Sequence, residues 1–423
     1  MDEDDQGARF RRAAGGNDMS AESVVVRVET AGNPPAFPAS QAQARFLPVD
    51  LVRGFVMVVM AIDHVRDMLG AARFNPTELT QTTPALFFTR WITHLCAPAF
   101  ILLAGAGAFL SRKPRGALSR FLLTRGLWLI VVEMTVVKFG WAFNLDPHAT
   151  VLQVIWAIGW SMIALAGLVW LPLPIVGLFG AAMIASHNLF DGIAAGPLFR
   201  GTPPDLVFVG TLRDCLVSFL HQFNPPIIYP VVPWIGVIAV GYALGPVLLL
   251  EPVRRSRALI ALGAALCIGF ILVRGLNGYG DPQPWAHQRT SLFTAMSFLN
   301  TTKYPPSLDY LLMTLGPVLL MVAAAEKLRG PLASALAVFG RVPFFFYVLH
   351  IYLIHAAALA LGIWTGIGVE PLLTNWPRFP RSFGISLAGV YLAWLLVLVA
   401  LYPACRWFAR VKAARREWWL GYL

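Results

Sequence analysis

One stretch of the chain, Arg45–Asp67, has the length of a membrane-spanning helix but carries several ionisable side chains. At 100° per residue, Arg53 and His64 project about 20° apart around a helix. Asp50 and Asp67 fall about 40–60° to one side, so the four form one stripe. Ionisable groups in a membrane helix are costly unless they face protein or water, and they are usually functional. The stripe therefore predicts a functional site. The alternative is that Asp50 and Arg53 only pair at the helix entrance while His64 lies in the headgroup layer.

The composition of the chain indicates its fold class. Of 423 residues, 57% are hydrophobic and 13% are charged, and the mean hydropathy is +0.65. These values exclude an ordinary soluble domain. Isolated apolar strands cannot span lipid, so we predict an all-α, polytopic transmembrane bundle in the lipid bilayer. The four cysteines lack CxxC spacing, and neither a metal site nor a disulfide framework is expected.

The charge pattern describes topology and not a nucleic-acid interface. The net charge of +11 comes mostly from basic residues in short loops between apolar runs, so no nucleic-acid partner is expected. We predict a disordered cytoplasmic tail at 1–44, a membrane domain at 45–410, and a basic, aromatic cytoplasmic tail at 411–423. Residues 1–44 lack an apolar signal-peptide core, so the first span should act as its own insertion signal.

Ten apolar stretches approach or exceed the length of about 17–25 residues that a transmembrane helix needs. With ten spans, the basic short loops and the C-terminal tail all fall on one side, which is cytoplasmic by the positive-inside rule. Both termini are then cytoplasmic, and the longer loops outside either cap a site or only connect helices. The predicted spans are residues 48–69, 85–110, 119–143, 150–171, 174–189, 228–250, 257–275, 307–325, 334–361 and 383–408.

Histidines on three of these helices have comparable predicted depths. At about 1.5 Å per residue, His64 and His350 each lie roughly 24 Å from the cytoplasmic side, and His94 lies roughly 14 Å below the outer surface. Arg90 precedes His94 by one turn and shares its face. The common depth predicts one polar cavity that opens outward, in which we expect His64 and His94 to approach each other.

A second polar group lies near the cytoplasmic ends of the helices and comprises Asp50, Arg53 and Arg341. Arginine binds phosphate groups through bidentate hydrogen bonds, so this end is a candidate site for a phosphate-bearing ligand. For Arg341, snorkelling to the membrane surface is an equal alternative.

Five segments resemble the bacterial branch of the heparan-α-glucosaminide N-acetyltransferase-like membrane proteins, over about residues 45–410. A more distant likeness is to membrane acyltransferases that O-acetylate surface sugars, whose first helix carries an L-D-x-x-R pattern followed, after an apolar run, by a histidine. Asp50, Arg53 and His64 match that pattern. The five segments are R-F-L-P-V-D-L-V-R-G-F-V-M-V-V-M-A-I-D-H at 45–64, T-T-P-A-L-F-F-T-R-W-I-T-H-L-C-A-P-A-F at 82–100, Y-P-V-V-P-W-I-G at 229–236, T-K-Y-P-P-S at 302–307 and G-R-V-P-F-F-F-Y-V-L-H-I-Y-L-I-H at 340–355.

The resemblance implies transfer of an acetyl group from cytosolic acetyl-CoA to a sugar or other acceptor across a bacterial inner membrane, without a metal. The essential histidine of the lysosomal member lies in a luminal loop, whereas residues 68–83 here contain none. His64, with His94 second, is therefore the candidate base or acyl carrier. Asp67 is expected to orient the His64 ring.

The remaining assignments concern the two substrates. Asp50, Arg53 and Arg341 are expected to bind acetyl-CoA. The residues expected to contact the acceptor are Arg90, Lys303, Tyr304 and His350.

Two other function classes stay open at this point. A proton-coupled transporter would use the same histidines as a relay but gives no reason for arginines at the cytoplasmic mouth. A non-catalytic scaffold leaves the histidine layer without a purpose. The sequence does not identify the acceptor or the acyl chain, and a homodimer is one alternative for the assembly.

The predicted topology can be tested with reporter fusions. Fusions at Arg115 and Arg255 should behave as cytoplasmic, because both lie in basic short loops, and a fusion at Pro204 should behave as periplasmic. A periplasmic signal at Arg255 would exclude the ten-span count and the depths derived from it.

Overall fold

The computed structural model describes residues 47–146, 150–201, 207–415 and 417–422. The predicted tail at 1–44 lies outside the described residues. The described residues belong to one compact unit that begins at Arg45.

The described chain is mostly helical, as the apolar composition predicts, with one two-stranded antiparallel sheet between α7 and α8. Short 3₁₀ turns and a π-helical turn at Glu133–Val137 connect several helices. The sheet pairs β1 (Phe199–Arg200) with β2 (Val207–Phe208) in antiparallel register. The helices are α1 (Leu47–Leu69), α2 (Pro84–Ile92), α3 (Cys96–Leu110), α4 (Arg115–Val132), α5 (Lys138–Ala142), α6 (Val154–Leu168), α7 (Leu173–Ser186), α8 (Leu212–Leu220), α9 (Val232–Ala243), α10 (Gly245–Leu248), α11 (Pro252–Leu276), α12 (Ser291–Leu299), α13 (Leu308–Ala325), α14 (Pro331–Arg341), α15 (Pro343–Trp364) and α16 (Leu387–Ala414).

Helix α1 is the centre of the bundle. It packs against α3, α13, α14, α15 and α16, and residues on every side of it are buried, including the charged Asp63 and Arg66. In contrast, α11 and α16 expose rows of aliphatic side chains, as helices that face lipid do. The helix with the most ionisable groups is therefore enclosed by protein, where those groups find partners.

Two glycines allow α1 to cross α14 at backbone contact. A Cβ atom on Gly54 would overlap the carbonyl oxygen of Leu336, and one on Gly340 would overlap the carbonyl oxygen of Asp50. Small residues at such crossings let membrane helices approach closely and gain van der Waals contact. At its other end, the carbonyl oxygen of Leu69 accepts a hydrogen bond of 2.7 Å from the amide of Ile385, just before α16. Both ends of α1 are thus fixed to neighbouring elements.

Among the described residues, six helices are long and apolar enough to cross a bilayer, and α6 and α9 are shorter apolar helices. Helix α1 is not among the six because it carries Asp50, Arg53 and Asp63 along its length. The count of ten spans and the cytoplasmic position of both termini stay predictions. The six are Pro84–Leu110, Leu173–Phe190, Pro252–Leu276, Leu308–Ala325, Pro343–Trp364 and Leu387–Ala414.

One predicted span is wrong, because the structure has two helices where the sequence predicted one. Residues 334–361 form two helices, because α14 ends at Arg341 and α15 begins at Pro343. Proline lacks the N–H that would continue the helix and restricts the residue before it, so Val342 breaks the run. Both α14 and α15 pack against α1.

The segment that connects α11 to α13 is ordered by a buried arginine. Arg274, at the end of α11, is 2% exposed and donates hydrogen bonds to the carbonyl oxygens of Gln283, Ser297, Phe298 and Asn300. Its guanidinium also lies 3.6–3.8 Å from two carboxylates, those of Asp281 and Asp309. The segment 276–306 is therefore held against the bundle by ionic contacts and contains helix α12.

The α1–α14 crossing predicts a position-specific sensitivity to alanine. Gly340→Ala should destabilise the protein by about 1–3 kcal/mol or more, because the added methyl group overlaps the Asp50 carbonyl and the helices must separate. Gly167→Ala is the matched control, since no heavy atom lies within 4 Å of its added Cβ. Thermal unfolding in detergent measures both, and equal melting temperatures would contradict the close crossing.

Candidate functional site

The candidate site is built around a hydrogen-bonded pair of histidines from α1 and α15, here called the histidine pair. His64 Nδ1 lies 2.6 Å from His350 Nε2, and the two rings stack with centroids 4.9 Å apart. His350 is completely buried, whereas His64 is half-buried. The structure thus brings together two histidines that the sequence placed at equal depth.

The hydrogen-bond partners assign the protons of the histidine pair. His350 Nδ1 lies 3.0 Å from the carbonyl oxygen of Phe346, which only accepts, so this nitrogen carries a proton. In a neutral His350 ring Nε2 is then the acceptor, and His64 Nδ1 donates to it. A neutral His64 therefore has an unprotonated Nε2. This nitrogen is the one available to accept a proton.

Aromatic side chains enclose the histidine pair. The Trp141 ring meets the His64 ring edge-on, with centroids 4.9 Å apart. The centroid of the Tyr347 ring lies 6.2 Å from that of His64 and 5.6 Å from that of His350. Phe346 stacks on His350 at 5.1 Å. The rotamers of both imidazoles are therefore restricted by packing as well as by hydrogen bonds.

Next to the pair lies a group of four charged side chains, here called the ion cluster: Asp63, Arg66, Asp67 and Arg90. Arg66 lies 2.7 Å from Asp63 and 2.5 Å from Asp67, and Arg90 of α2 forms a hydrogen-bonded ion pair with Asp63. Two positive and two negative charges balance, which is how buried ions are tolerated.

One residue of the ion cluster, Asp67, does not make the contact that the sequence predicted. Asp67 was predicted to orient the His64 ring, but its carboxylate pairs with Arg66, and the ring hydrogen bond of His64 goes to His350. Arg66 was missed by sequence reasoning, although it lies one turn from Asp63 and that spacing favours an ion pair.

The segment with Lys303 and Tyr304, just before α13, interacts with the ion cluster. The charges of Lys303 and Arg90 act on the Tyr304 hydroxyl, and Lys303 also interacts electrostatically with Asp63 and His64. Burial opposes ionisation of Tyr304, but the two positive charges lower the pKa of its hydroxyl below the usual value. The segment therefore brings the positive charge of Lys303 and a hydroxyl of lowered pKa close to Asp63 and His64.

His94 has no described ring contact with the histidine pair, but it interacts electrostatically with Arg90, Lys303 and Asp63. His94 lies in the 3₁₀ turn between α2 and α3, and its ring contacts Tyr310 at 5.4 Å. The Tyr310 hydroxyl donates a hydrogen bond of 2.8 Å to the His94 carbonyl oxygen. Its ring nitrogen Nδ1 is buried without a hydrogen-bond partner among the described residues. A catalytic role for His94 stays a prediction.

The residues predicted to bind the donor lie near the N-terminal end of α1 and at the C-terminal end of α14. Arg53 forms an ion pair of 3.0 Å with Asp50 and also donates to the carbonyl oxygen of Gly340. Arg341 is exposed at the end of α14. Within the described ranges, no three His, Cys, Asp or Glu side chains are grouped so that they could hold a metal ion.

Comparison with protein families gives one match. The catalytic region of the family described as heparan-alpha-glucosaminide N-acetyltransferase matches residues 45–275, which is more than half of the chain. The matched part runs from α1 almost to the end of α11 and includes His64, Arg90 and His94. No curated protein matches the chain. The match and the apolar helices together identify a multi-pass membrane protein.

The ion cluster predicts unequal effects for its two central members. Asp63→Asn should cost about 3–5 kcal/mol, because it removes the carboxylate that pairs with the buried Arg90 and one of the two that pair with the buried Arg66. Arg90→Gln should cost less, since Asp63 keeps Arg66. The double variant should be more stable than the sum of the single effects implies. Thermal unfolding in detergent measures all three, and strict additivity would contradict a shared cluster.

Proposed function

The chain belongs to the heparan-α-glucosaminide N-acetyltransferase family, and on that premise we propose that it transfers an acetyl group from cytosolic acetyl-CoA to a sugar or other acceptor across a bacterial inner membrane. The observation that carries the proposal is the histidine pair, in which His350 fixes the His64 ring and leaves Nε2 free to accept a proton.

His64 acts as the general base in this proposal. Its Nε2 accepts the proton that the acceptor hydroxyl or amine loses as the acceptor oxygen or nitrogen bonds to the acetyl carbon. The carbon–sulfur bond of the donor breaks, and His64 returns the proton to the departing thiolate. The reaction balances without a further reactant. An imidazole can both accept a proton and return it, so His64 suits both steps.

His350 acts as a positioning residue. By accepting the Nδ1 proton of His64, it selects the tautomer whose Nε2 is unprotonated, and it stabilises the positive charge that His64 gains during the reaction. This role replaces the contact with the acceptor that the sequence had indicated for His350.

The segment with Lys303 and Tyr304 supplies electrostatic stabilisation. Lys303, Arg90 and the Tyr304 hydroxyl surround the outward side of the site, where they stabilise negative charge that develops on the acetyl oxygen or bind an anionic group of the acceptor. Such fixed charges are more effective in a buried site than in water.

The donor binds at the other end of α1 in this proposal. Arg53 and His64 are eleven residues apart on one face, which corresponds to about 16 Å along the axis. A donor whose thioester lies at the end of a long, flexible arm fits this separation. Arg53, near the N-terminal end of α1, suits the phosphate groups at the other end of that arm.

The proposal predicts that His64→Ala reduces acetyl transfer about 10²–10⁴-fold while acetyl-CoA binding stays nearly unchanged, because only the base is lost. His350→Ala should reduce the rate less and shift its pH profile, since the His64 ring remains but loses its fixed tautomer. Radiolabelled acetyl-CoA provides the transfer assay, and equilibrium binding in detergent provides the affinity.

His287→Ala is the matched control, because His287 is an exposed histidine in an outer loop whose described ring contact is with Trp285. It should transfer at the rate of the unmodified protein. Near-normal transfer by His64→Ala would make His64 structural and leave His94 as the candidate base. If the unmodified protein does not bind acetyl-CoA, the enzyme proposal fails and the proton-coupled transporter takes its place.

A further inference from the structure

A cleft lies between the segments that follow α7 and α8 and the segment just before α13. Its volume is about 230 Å³. Pockets for drug-sized ligands measure ~300–1,000 Å³, so this cleft fits a single small ring. Its polar and aromatic lining consists of Asp191, His221, Gln222, Phe223 and Tyr304.

The walls of the cleft are joined by buried hydrogen bonds. The two ring nitrogens of His187 each lie 2.8 Å from a carbonyl oxygen, one of Ile184 and the other of Pro306. The side-chain oxygen of Asn188 accepts a hydrogen bond of 2.9 Å from the amide of Leu308. The segment after α7 is therefore fixed to the start of α13, and the cleft is preformed, as ligand sites usually are.

The polar wall offers both acceptors and donors of hydrogen bonds. One carboxylate oxygen of Asp191 lies 2.9 Å from His221 Nε2, and the other accepts a hydrogen bond of 2.8 Å from the Asn188 amide. Each oxygen has a second lone pair for a hydroxyl donor. His221 is 7% exposed, and its Nδ1 has no hydrogen-bond partner among the described residues. The Gln222 side-chain oxygen accepts from the Ala195 amide, so its NH₂ group is the donor.

Two aromatic rings complete the lining. The centroids of the Phe223 and Tyr304 rings lie 6.0 Å apart, and Phe223 is 43% exposed. An aromatic face buries the apolar C–H face of a ring-shaped ligand and adds contact area. Tyr304 also interacts electrostatically with Arg90, so the cleft shares a residue with the surroundings of the ion cluster.

The charges at the cleft disfavour a ligand of either sign. None of the described residues that line it is a lysine or an arginine, and the Asp191 carboxylate repels an anion. Lys303 Nζ lies 5.2 Å from the centroid of the Tyr304 ring, where it repels a cation. An uncharged ligand with several hydroxyl groups and an apolar face avoids both repulsions and matches the lining.

Resting on the proposed function, we propose that this cleft binds a ring of the acceptor, and that this ring is uncharged and polyhydroxylated, as in a hexopyranoside. Its hydroxyl groups form hydrogen bonds with Asp191 and Gln222, and its C–H face packs on Phe223 and Tyr304. The cleft selects the acceptor, whereas the histidine pair handles the proton.

The first test compares three probes of similar size and different charge. Methyl β-D-glucopyranoside is the uncharged probe, its glucuronide is the anion and glucosamine is the cation. Saturation-transfer NMR on the full chain, in a detergent without a sugar headgroup, measures the affinity for each. The uncharged probe should bind most tightly. Equal or tighter binding of either charged probe would overturn the selection by charge.

The second test removes the aromatic face. Phe223→Ala should weaken binding of the uncharged probe about tenfold, because stacking and buried area are lost, whereas Phe223→Tyr keeps the ring and should bind like the unmodified protein. Phe208→Ala is the matched control, since Phe208 of β2 is exposed and does not line the cleft. Equal affinities of all three variants would exclude Phe223 from the binding site.

The third test removes the negative charge. Asp191→Asn keeps the shape of the side chain, and it should tighten binding of the glucuronide about fivefold, the effect of one charge at ~4 Å in water. It should not tighten binding of the uncharged probe. A loss of stability alone would weaken binding of both probes, so a parallel loss would make Asp191 structural and overturn its role in selection.

The transfer assay separates this proposal from the function. With radiolabelled acetyl-CoA and the uncharged probe, Phe223→Ala should raise the KM of the acceptor about tenfold and leave kcat nearly unchanged. If transfer occurs with an unchanged KM, the cleft is not the acceptor site, and the transferase function stands. If the probes bind as predicted but receive no acetyl group, the transferase function fails and the acceptor role with it, while the binding site stands.

Discussion

The structure depends on the burial of one charged helix in an apolar bundle. Helix α1 carries Asp50, Arg53, Asp63, Arg66 and Asp67, and none of these is tolerated against lipid without a partner. The bundle meets this requirement with ion pairs inside α1, with Arg90 from α2, and with five helices that enclose α1. The aliphatic faces of α11 and α16 remain for the lipid.

Much of the fold is predictable because hydropathy is a property of local sequence. The apolar runs near residues 257–275 and 307–325 coincide closely with α11 and α13. Boundaries set by single residues are harder to predict, as the break before Pro343 shows. Which helix lies at the centre follows from charge, since only the helix with the costliest side chains gains by complete enclosure.

The candidate site was less predictable, and the reason is geometric. Helical periodicity tells which residues of one helix share a face, so the stripe with Arg53 and His64 could be derived. It does not tell which faces of different helices meet. His350, and not His94 or Asp67, forms the ring hydrogen bond with His64. Trp141 and Tyr347 gave no signal, since aromatic residues are common in any apolar span.

The way in which α1 is held also bears on the choice between an enzyme and a transporter. Its first turns cross α14 at backbone contact through Gly54 and Gly340, and its last residue is hydrogen-bonded to Ile385. A transporter exposes one site alternately to each side and needs helices that rock or break at that site. Helix α1 is unbroken from Leu47 to Leu69 and fixed at both ends. In the proposed function, group transfer needs only that two ligands reach separate parts of a rigid element, and Arg53 and His64 lie about 16 Å apart along α1.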